Sequence, residues 1–152
     1  METRKIRLLI VDDNAVFRRK LAEFLQECGE MEVIGEAGTG RDGLSKAREL
    51  KPDLVLMDVR LPDMNGLSII SALKVLPAAP KVIVLTVFDC IEYRQSAEIA
   101  GAVGYVVKAS ITDELLPAIR TQVDGSGKLA LKRKCKDETD GGASGMRLGR
   151  ME

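Results

Sequence analysis

Residues 54–66 read LVLMDVRLPDMNG: four apolar residues, an acid at Asp58, then Pro62-Asp63-Met64-Asn65-Gly66, a turn that opens a helix. A short apolar run without polar alternation is a strand covered on both faces, as parallel sheets require. The same design recurs on either side. Ile6–Val11 (IRLLIV) stops at Asp12-Asp13, residues 81–85 (KVIVL) stop at Thr86, and residues 103–107 stop at Lys108. Residues 32–37 (EVIGEA) form a weaker strand after the first helix.

Between the runs, apolar residues return at helical spacing. Phe17, Leu21, Phe24, Leu25 and Cys28 mark a first helix, with Asn14 as its N-cap and Gly29 at its end. Residues 41–50 form a second, Leu67, Ile70, Leu73 and Leu76 line a third, and residues 92–100 form a fourth. Leu115, Leu116, Ile119 and Val123 line a fifth, with Thr112 as N-cap, Asp113 and Glu114 in its first turn and Pro117 near its start. Five strand–helix units in succession predict an α/β fold, a five-stranded parallel sheet with helices on both faces.

The chain has 152 residues, 23 basic, 23 acidic and no histidine. Catalysis through Ser-His-Asp or Cys-His, a histidine base and a histidine metal ligand are all excluded. Cys28, Cys90 and Cys135 are odd in number and far apart, which reads as reduced thiols in a cytoplasmic protein rather than a disulfide or zinc framework. No apolar run approaches the ~20 residues of a membrane span. The neutral charge hides two unlike parts. Residues 125–152 hold seven basic and four acidic side chains against sixteen and nineteen in residues 1–124, and six of the 14 glycines. The expected organisation is one domain over 1–124 and a flexible tail over 125–152.

In open parallel sheets, ligands bind beyond the carboxyl ends of the strands. That rule brings together Asp12, Asp13, Asp58, Thr86 and Lys108. Three close carboxylates must take up a proton or a cation, and an oxygen-only cluster suits Mg²⁺ or Mn²⁺. Lys108 and the Thr86 hydroxyl would each meet a phosphoryl oxygen.

These residues in this order resemble the receiver domain of bacterial two-component response regulators, over about residues 5–123. The resemblance implies a flavodoxin-like sheet of order 2-1-3-4-5 with five helices. It implies that Asp58 accepts a phosphoryl group from the phosphohistidine of a histidine kinase or histidine phosphotransfer protein. Asp13, Asp58 and the Arg60 carbonyl would hold Mg²⁺, with Asp12 acting through or near a metal-bound water. Thr86 would move to the phosphoryl group and Tyr105 would turn inward. The fourth helix, fifth strand and fifth helix would then receive a partner or a second copy of the chain. Such a protein catalyses only its own phosphorylation and dephosphorylation.

Other readings compete. Gly38-Thr39-Gly40-Arg41-Asp42-Gly43 spells a dinucleotide-binding G-x-G-x-x-G, but in the second strand–helix unit, where a flexible loop into the second helix is the simpler account. A haloacid-dehalogenase-like phosphatase shares the order Asp, Thr, Lys, yet needs Asp-x-Asp where Asp58-Val59-Arg60 stands. Lys132, Arg133, Lys134 and Lys136 form a basic run without aromatics, read as solvated tail rather than a nucleic-acid contact. VIGEAGTGRDGL and GYVVKAS resemble receivers joined to LuxR-type DNA-binding domains, so DNA enters only through a further domain. Ala109 stands where the family usually has proline, which leaves the Lys108–Ala109 geometry open. Arg60 and Phe88 lie at the expected mouth of the site.

Overall fold

The computed structural model describes residues 4–123. In chain order the elements are β1 (Ile6–Val11), α1 (Ala15–Gln26), β2 (Met31–Ala37), α2 (Gly40–Leu50), β3 (Leu54–Met57) and α3 (Gly66–Lys74). They continue with β4 (Lys81–Thr86), α4 (Ile91–Ala100), β5 (Gly104–Val107), a 3₁₀ turn over Lys108–Ser110, and α5 (Ile111–Val123). The strands pair in parallel in the order β2-β1-β3-β4-β5. β1 is therefore interior to the sheet, and the winding reverses between β1 and β3, which opens a crevice at their carboxyl ends.

The apolar runs are what bury. Leu9, Val11, Val55, Met57, Val82 and Val84 share one face and pack with Ile69, Ile70 and Leu73 of α3 and with Tyr105. Leu8, Ile10, Leu56, Ile83 and Leu85 alternate onto the other face and are equally buried. Burying one such side chain contributes about 1.5–3 kcal/mol. The β1–β2 ladder slips between Leu8, opposite Val33, and Leu9, opposite Gly35, so Ile34 is bypassed.

Helix ends follow side-chain chemistry. Asn14, Thr39 and Asn65 cap α1, α2 and α3, each accepting from a backbone N–H of the first turn. Gly101, at φ 119°, closes α4 in the left-handed region that glycine enters without cost.

Several expectations need correction. Only Gly38 and Thr39 of the G-x-G-x-x-G stretch are loop: α2 begins at Gly40 and includes Gly43, which lies against Val11. α3 ends at Lys74, so Leu76 packs from beyond the helix. α5 follows the 3₁₀ turn directly and starts at Ile111, which puts Thr112 inside the helix rather than at its cap. Pro117 is its seventh residue, too deep for a first turn, and its carbonyl accepts from the Thr121 hydroxyl at 2.7 Å. The Lys108–Ala109 bond is trans, as is every peptide among the described residues. Residues 4–111 belong to one compact unit, and the described part of a second runs from Thr112 to Val123. The predicted tail, Cys135 and the basic run fall outside the described residues.

Asp53 ties the strand starts together. Its carboxylate accepts from the Arg7 N–H at 2.9 Å and from Arg4 Nη2 at 3.0 Å, while its carbonyl accepts from the Lys81 N–H at 3.1 Å. Partial burial pushes its pKa up, but the Arg7 N–H and the Arg4 guanidinium outweigh that and hold it below the ordinary aspartate value. A depressed folded pKa stabilises the fold above the unfolded pKa of ~3.9 and loses that contribution as pH falls through the folded value. Asp53→Asn should therefore cost about 1 kcal/mol at pH 7, the scale of one partly exposed charged hydrogen bond. Urea unfolding at neutral pH and below the folded pKa checks this; a wild-type advantage that persists in acid would show that charge is not its source.

Candidate functional site

Asp12 leaves the end of β1 inside the sheet. Its N–H donates to the Ala37 carbonyl at 2.9 Å, continuing the β1–β2 ladder by one bond. Its carboxylate Oδ1 accepts from the Asn14 N–H at 2.9 Å and its Oδ2 from Lys108 Nζ at 2.6 Å. Only 2% of Asp12 is exposed. Asp13 follows on the same turn and is exposed.

Asp58 comes off β3, its N–H donating to the Val11 carbonyl at 3.0 Å. Its Oδ1 accepts from the Arg60 N–H at 3.0 Å and its Oδ2 from Lys108 Nζ at 3.0 Å. One carboxylate oxygen from each of Asp12, Asp13 and Asp58 lies within 4.8 Å of the others. Lys108, delivered by the end of β5, is thus shared by two acids. Its ammonium also sits 4.2 Å from the centre of the Phe17 ring, whose face favours a cation.

Charge follows position. Burial pushes Asp12 above the ordinary aspartate value and the neighbouring Asp58 adds to it, against the opposing bonds from Lys108 and the Asn14 N–H. Burial pulls Lys108 down, but its bonds to Asp12 and Asp58 win and raise it. Lys108 therefore stays an ammonium at neutral pH, one cation set among three carboxyl groups. A clustered all-oxygen donor set of this kind fits a hard divalent cation.

Thr86 ends β4 fully buried, its hydroxyl oxygen accepting from the Phe88 N–H at 3.2 Å. Tyr105 already points inward: it is 2% exposed and its hydroxyl donates to the Phe88 carbonyl at 2.8 Å. The Arg94 guanidinium lies 4.6 Å over the Tyr105 ring and pairs with Asp89 at 3.3 Å. The inward turn expected on phosphorylation thus has no outward starting point in this conformation. Arg60 stands 5.3 Å over the Phe88 ring, which stacks on Tyr93, so the two side chains meet one another.

Sequence reading misses three contributors. Phe17 reads only as one position of a helical stripe, Arg94 carries no motif, and Asp63 reads as a turn residue. Asp63 accepts from the Gly40 and Arg41 N–H groups at 2.7 and 2.9 Å, filling the N-terminus of α2 with a carboxylate. A dinucleotide pyrophosphate would need that same end. No helix among the described residues is long and apolar enough to cross a membrane.

Comparisons with known proteins agree with this geometry. Residues 8–120 match the response regulator receiver domain model. The chain is 38% identical over 127 residues to the uncharacterized transcriptional regulatory protein YxjL of Bacillus subtilis, covering 82% of this chain and 57% of that protein. It is 41% identical over 117 residues to the transcriptional regulatory protein PdtaR of Mycobacterium tuberculosis, covering 77% and 56%. The chain thus spans little more than half the length of these relatives. Among solved structures, the receiver domain of a NarL response regulator from Mycobacterium tuberculosis superposes with a TM-score of 0.75 at 28% identity, covering 80% of this chain and 98% of that one. A LuxR-family response regulator from Aurantimonas sp. gives 0.76 at 28%, covering 80% and 86%. Neither the fold nor these matches support a phosphatase. With the acidic cluster, the threonine and the lysine at the strand ends of a 2-1-3-4-5 sheet, the chain belongs to the response regulator receiver domain family.

Proposed function

We propose that this chain is a phosphoryl-accepting switch of a two-component system, acting in the cytoplasm, with Asp58 as its acceptor. The observation that carries the reading is the shared ammonium: Lys108 bonds Asp58 and Asp12 together at the strand ends. An Asp58 oxygen attacks the phosphorus of a kinase or phosphotransfer-protein phosphohistidine. The P–N bond breaks as the P–O bond forms, and the donor imidazole, already protonated on its other ring nitrogen, leaves as neutral imidazole with the P–N electron pair. Such transfer needs alignment and charge neutralisation more than covalent help. Lys108 supplies one positive charge to the phosphoryl oxygens, and the buried Thr86 hydroxyl stands on the neighbouring strand to donate a hydrogen bond. Asp13, Asp58 and the Arg60 carbonyl, with Asp12 through water, would hold Mg²⁺ or Mn²⁺, which supplies further neutralisation when bound.

Thr86 and Tyr105 both hold Phe88, one at its N–H and one at its carbonyl. Drawing Thr86 toward a phosphoryl group breaks the first hold and changes the β4–α4 loop. Val87, Ile91, Tyr93 and Ile99 expose apolar surface on that loop and on α4, where an output partner or a second copy would read the change. Residues 1–124 act as the receiver and 125–152 as an appended tail. DNA contact is assigned only to a further domain, as the relatives' greater length suggests. No turnover beyond self-phosphorylation and self-dephosphorylation is assigned.

The full chain, incubated with Mg²⁺ and acetyl phosphate, should gain the mass of one phosphoryl group in an acid-stable, base-labile adduct. No adduct, or an undiminished one in Asp58→Asn, would sink the reading.

A further inference from the structure

α1 brings a second cation to the acidic turn. Arg18 donates its own N–H to the Asn14 carbonyl at 3.0 Å, and its side chain, 19% exposed, folds back under the turn. Nη1 donates to the Asp12 carbonyl at 2.5 Å, and Nε pairs with Glu36 Oε1 at 3.2 Å near the end of β2. Asp12 is therefore held at all four polar atoms: N–H by Ala37, carbonyl by Arg18, and the two carboxylate oxygens by Asn14 and Lys108.

The carbonyl bond has a separate consequence. The Asp12 C=O and the Asp13 N–H belong to one rigid peptide plane. Fixing the oxygen fixes the plane from which Asp13 departs. Asp13 is exposed, so its backbone does most to aim its carboxylate.

Gly38 makes room for this arrangement. A Cβ there would stand 3.2 Å from Arg18 Nη1 and 3.9 Å from Cζ. The guanidinium is tethered at Nη1 and at Nε, so yielding would stretch the bond to Asp12 or the pair with Glu36. The first glycine of the G-x-G-x-x-G stretch thus serves an arginine.

We propose that Arg18 is a positioning residue for the divalent-cation site: its fork sets the Asp12–Asp13 peptide so that both carboxylates converge with Asp58, and Gly38 preserves the space it occupies. The inference rests on the reading of the acidic cluster as a Mg²⁺ or Mn²⁺ site. Charge alone argues the opposite way, because a guanidinium beside the acids repels a divalent cation. The sign of the effect therefore separates positioning from charge.

The test is a Mn²⁺ titration of the full chain, followed by the paramagnetic resonance signal of the free ion, with thermal unfolding recorded for each variant. Arg18→Lys keeps the charge but not the fork; Arg18→Met removes both. Each should weaken Mn²⁺ binding about tenfold, as loss of a group that orients metal ligands does. Gly38→Ala should weaken it in the wild-type background and leave it unchanged in Arg18→Lys, since the two act through one contact. Binding by Arg18→Lys equal to wild type, tighter binding by Arg18→Met, or an equal Gly38→Ala loss in both backgrounds would overturn the proposal. If Arg18→Met does not fold, the lysine and alanine variants still decide. A wild-type chain that binds no Mn²⁺ would instead refute the metal reading and the proposal with it.

Discussion

A chain carrying Lys108→Met should accept a phosphoryl group about 10²-fold more slowly than wild type, or worse, while binding Mg²⁺ more tightly. The two effects move in opposite directions because one ammonium serves two purposes. In the resting site Lys108 Nζ occupies carboxylate oxygens of Asp12 and Asp58, 2.6 and 3.0 Å away, and so competes with a divalent cation for the same charge. During transfer that charge is wanted on the phosphoryl oxygens. Methionine keeps an unbranched apolar side chain but supplies no charge. In metal-free buffer Asp12, 2% exposed, would face the loss of its ammonium. An uncompensated buried carboxylate costs about 3–5 kcal/mol, so Asp12 would take up a proton and release it when Mg²⁺ binds. Calorimetric Mg²⁺ titration in two buffers of different ionisation heat reads both the affinity and the proton. If affinity and rate fall together, Lys108 is chiefly a structural brace and does not divide its charge between acids and phosphoryl group.

Gly66→Ala should destabilise the fold by about 3 kcal/mol or more, a loss of over a hundredfold in the folding equilibrium. Gly66 opens α3 and its N–H donates to the Val59 carbonyl at 2.9 Å, closing the loop that follows Asp58. A Cβ there would stand 2.6 Å from Val59 Cα, 2.8 Å from the Asp58 carbonyl oxygen and 3.0 Å from the Val59 carbonyl carbon. These are backbone atoms with no rotamer to change. Relief requires the loop to move, and the Asp58 peptide with it, so phosphoryl acceptance should fall even where the variant is fully folded. Denaturant unfolding gives the first number and acetyl-phosphate labelling at low temperature the second. Stability within about 0.5 kcal/mol of wild type, the ordinary range for a neutral surface change, would contradict the close approach.

The features legible in the sequence are those that one segment shows by itself. Four of the five strands are apolar runs that end at a polar residue, so their ends place Asp12, Asp58, Thr86 and Lys108 together without any knowledge of packing. Helix starts are harder. Gly40 and Gly43 weaken a helix in isolation, yet Met64, Ile69 and Val11 press against them and make small residues necessary. Thr112 looks like a cap until the 3₁₀ turn brings the chain into helix two residues sooner. The orientation of Tyr105 depends on Arg94 and on the Phe88 carbonyl, and the support of Lys108 depends on Phe17. The contacts of Tyr105 and Lys108 join different elements, for which sequence spacing carries no signal.

The slip that bypasses Ile34 has a bearing on assembly. An outermost strand with free N–H and C=O groups invites another chain to extend the sheet, and proteins resist this by kinking such strands or keeping them short. β2 forms one border of this sheet and carries the irregularity, while β5 forms the other and is only four residues long. Neither border presents a long regular ladder. A second copy would therefore have to be recruited by side chains, through contacts that a charge reversal or a phosphoryl group on the same molecule can undo. For a signalling protein that keeps association reversible and steers it away from fibrous aggregation.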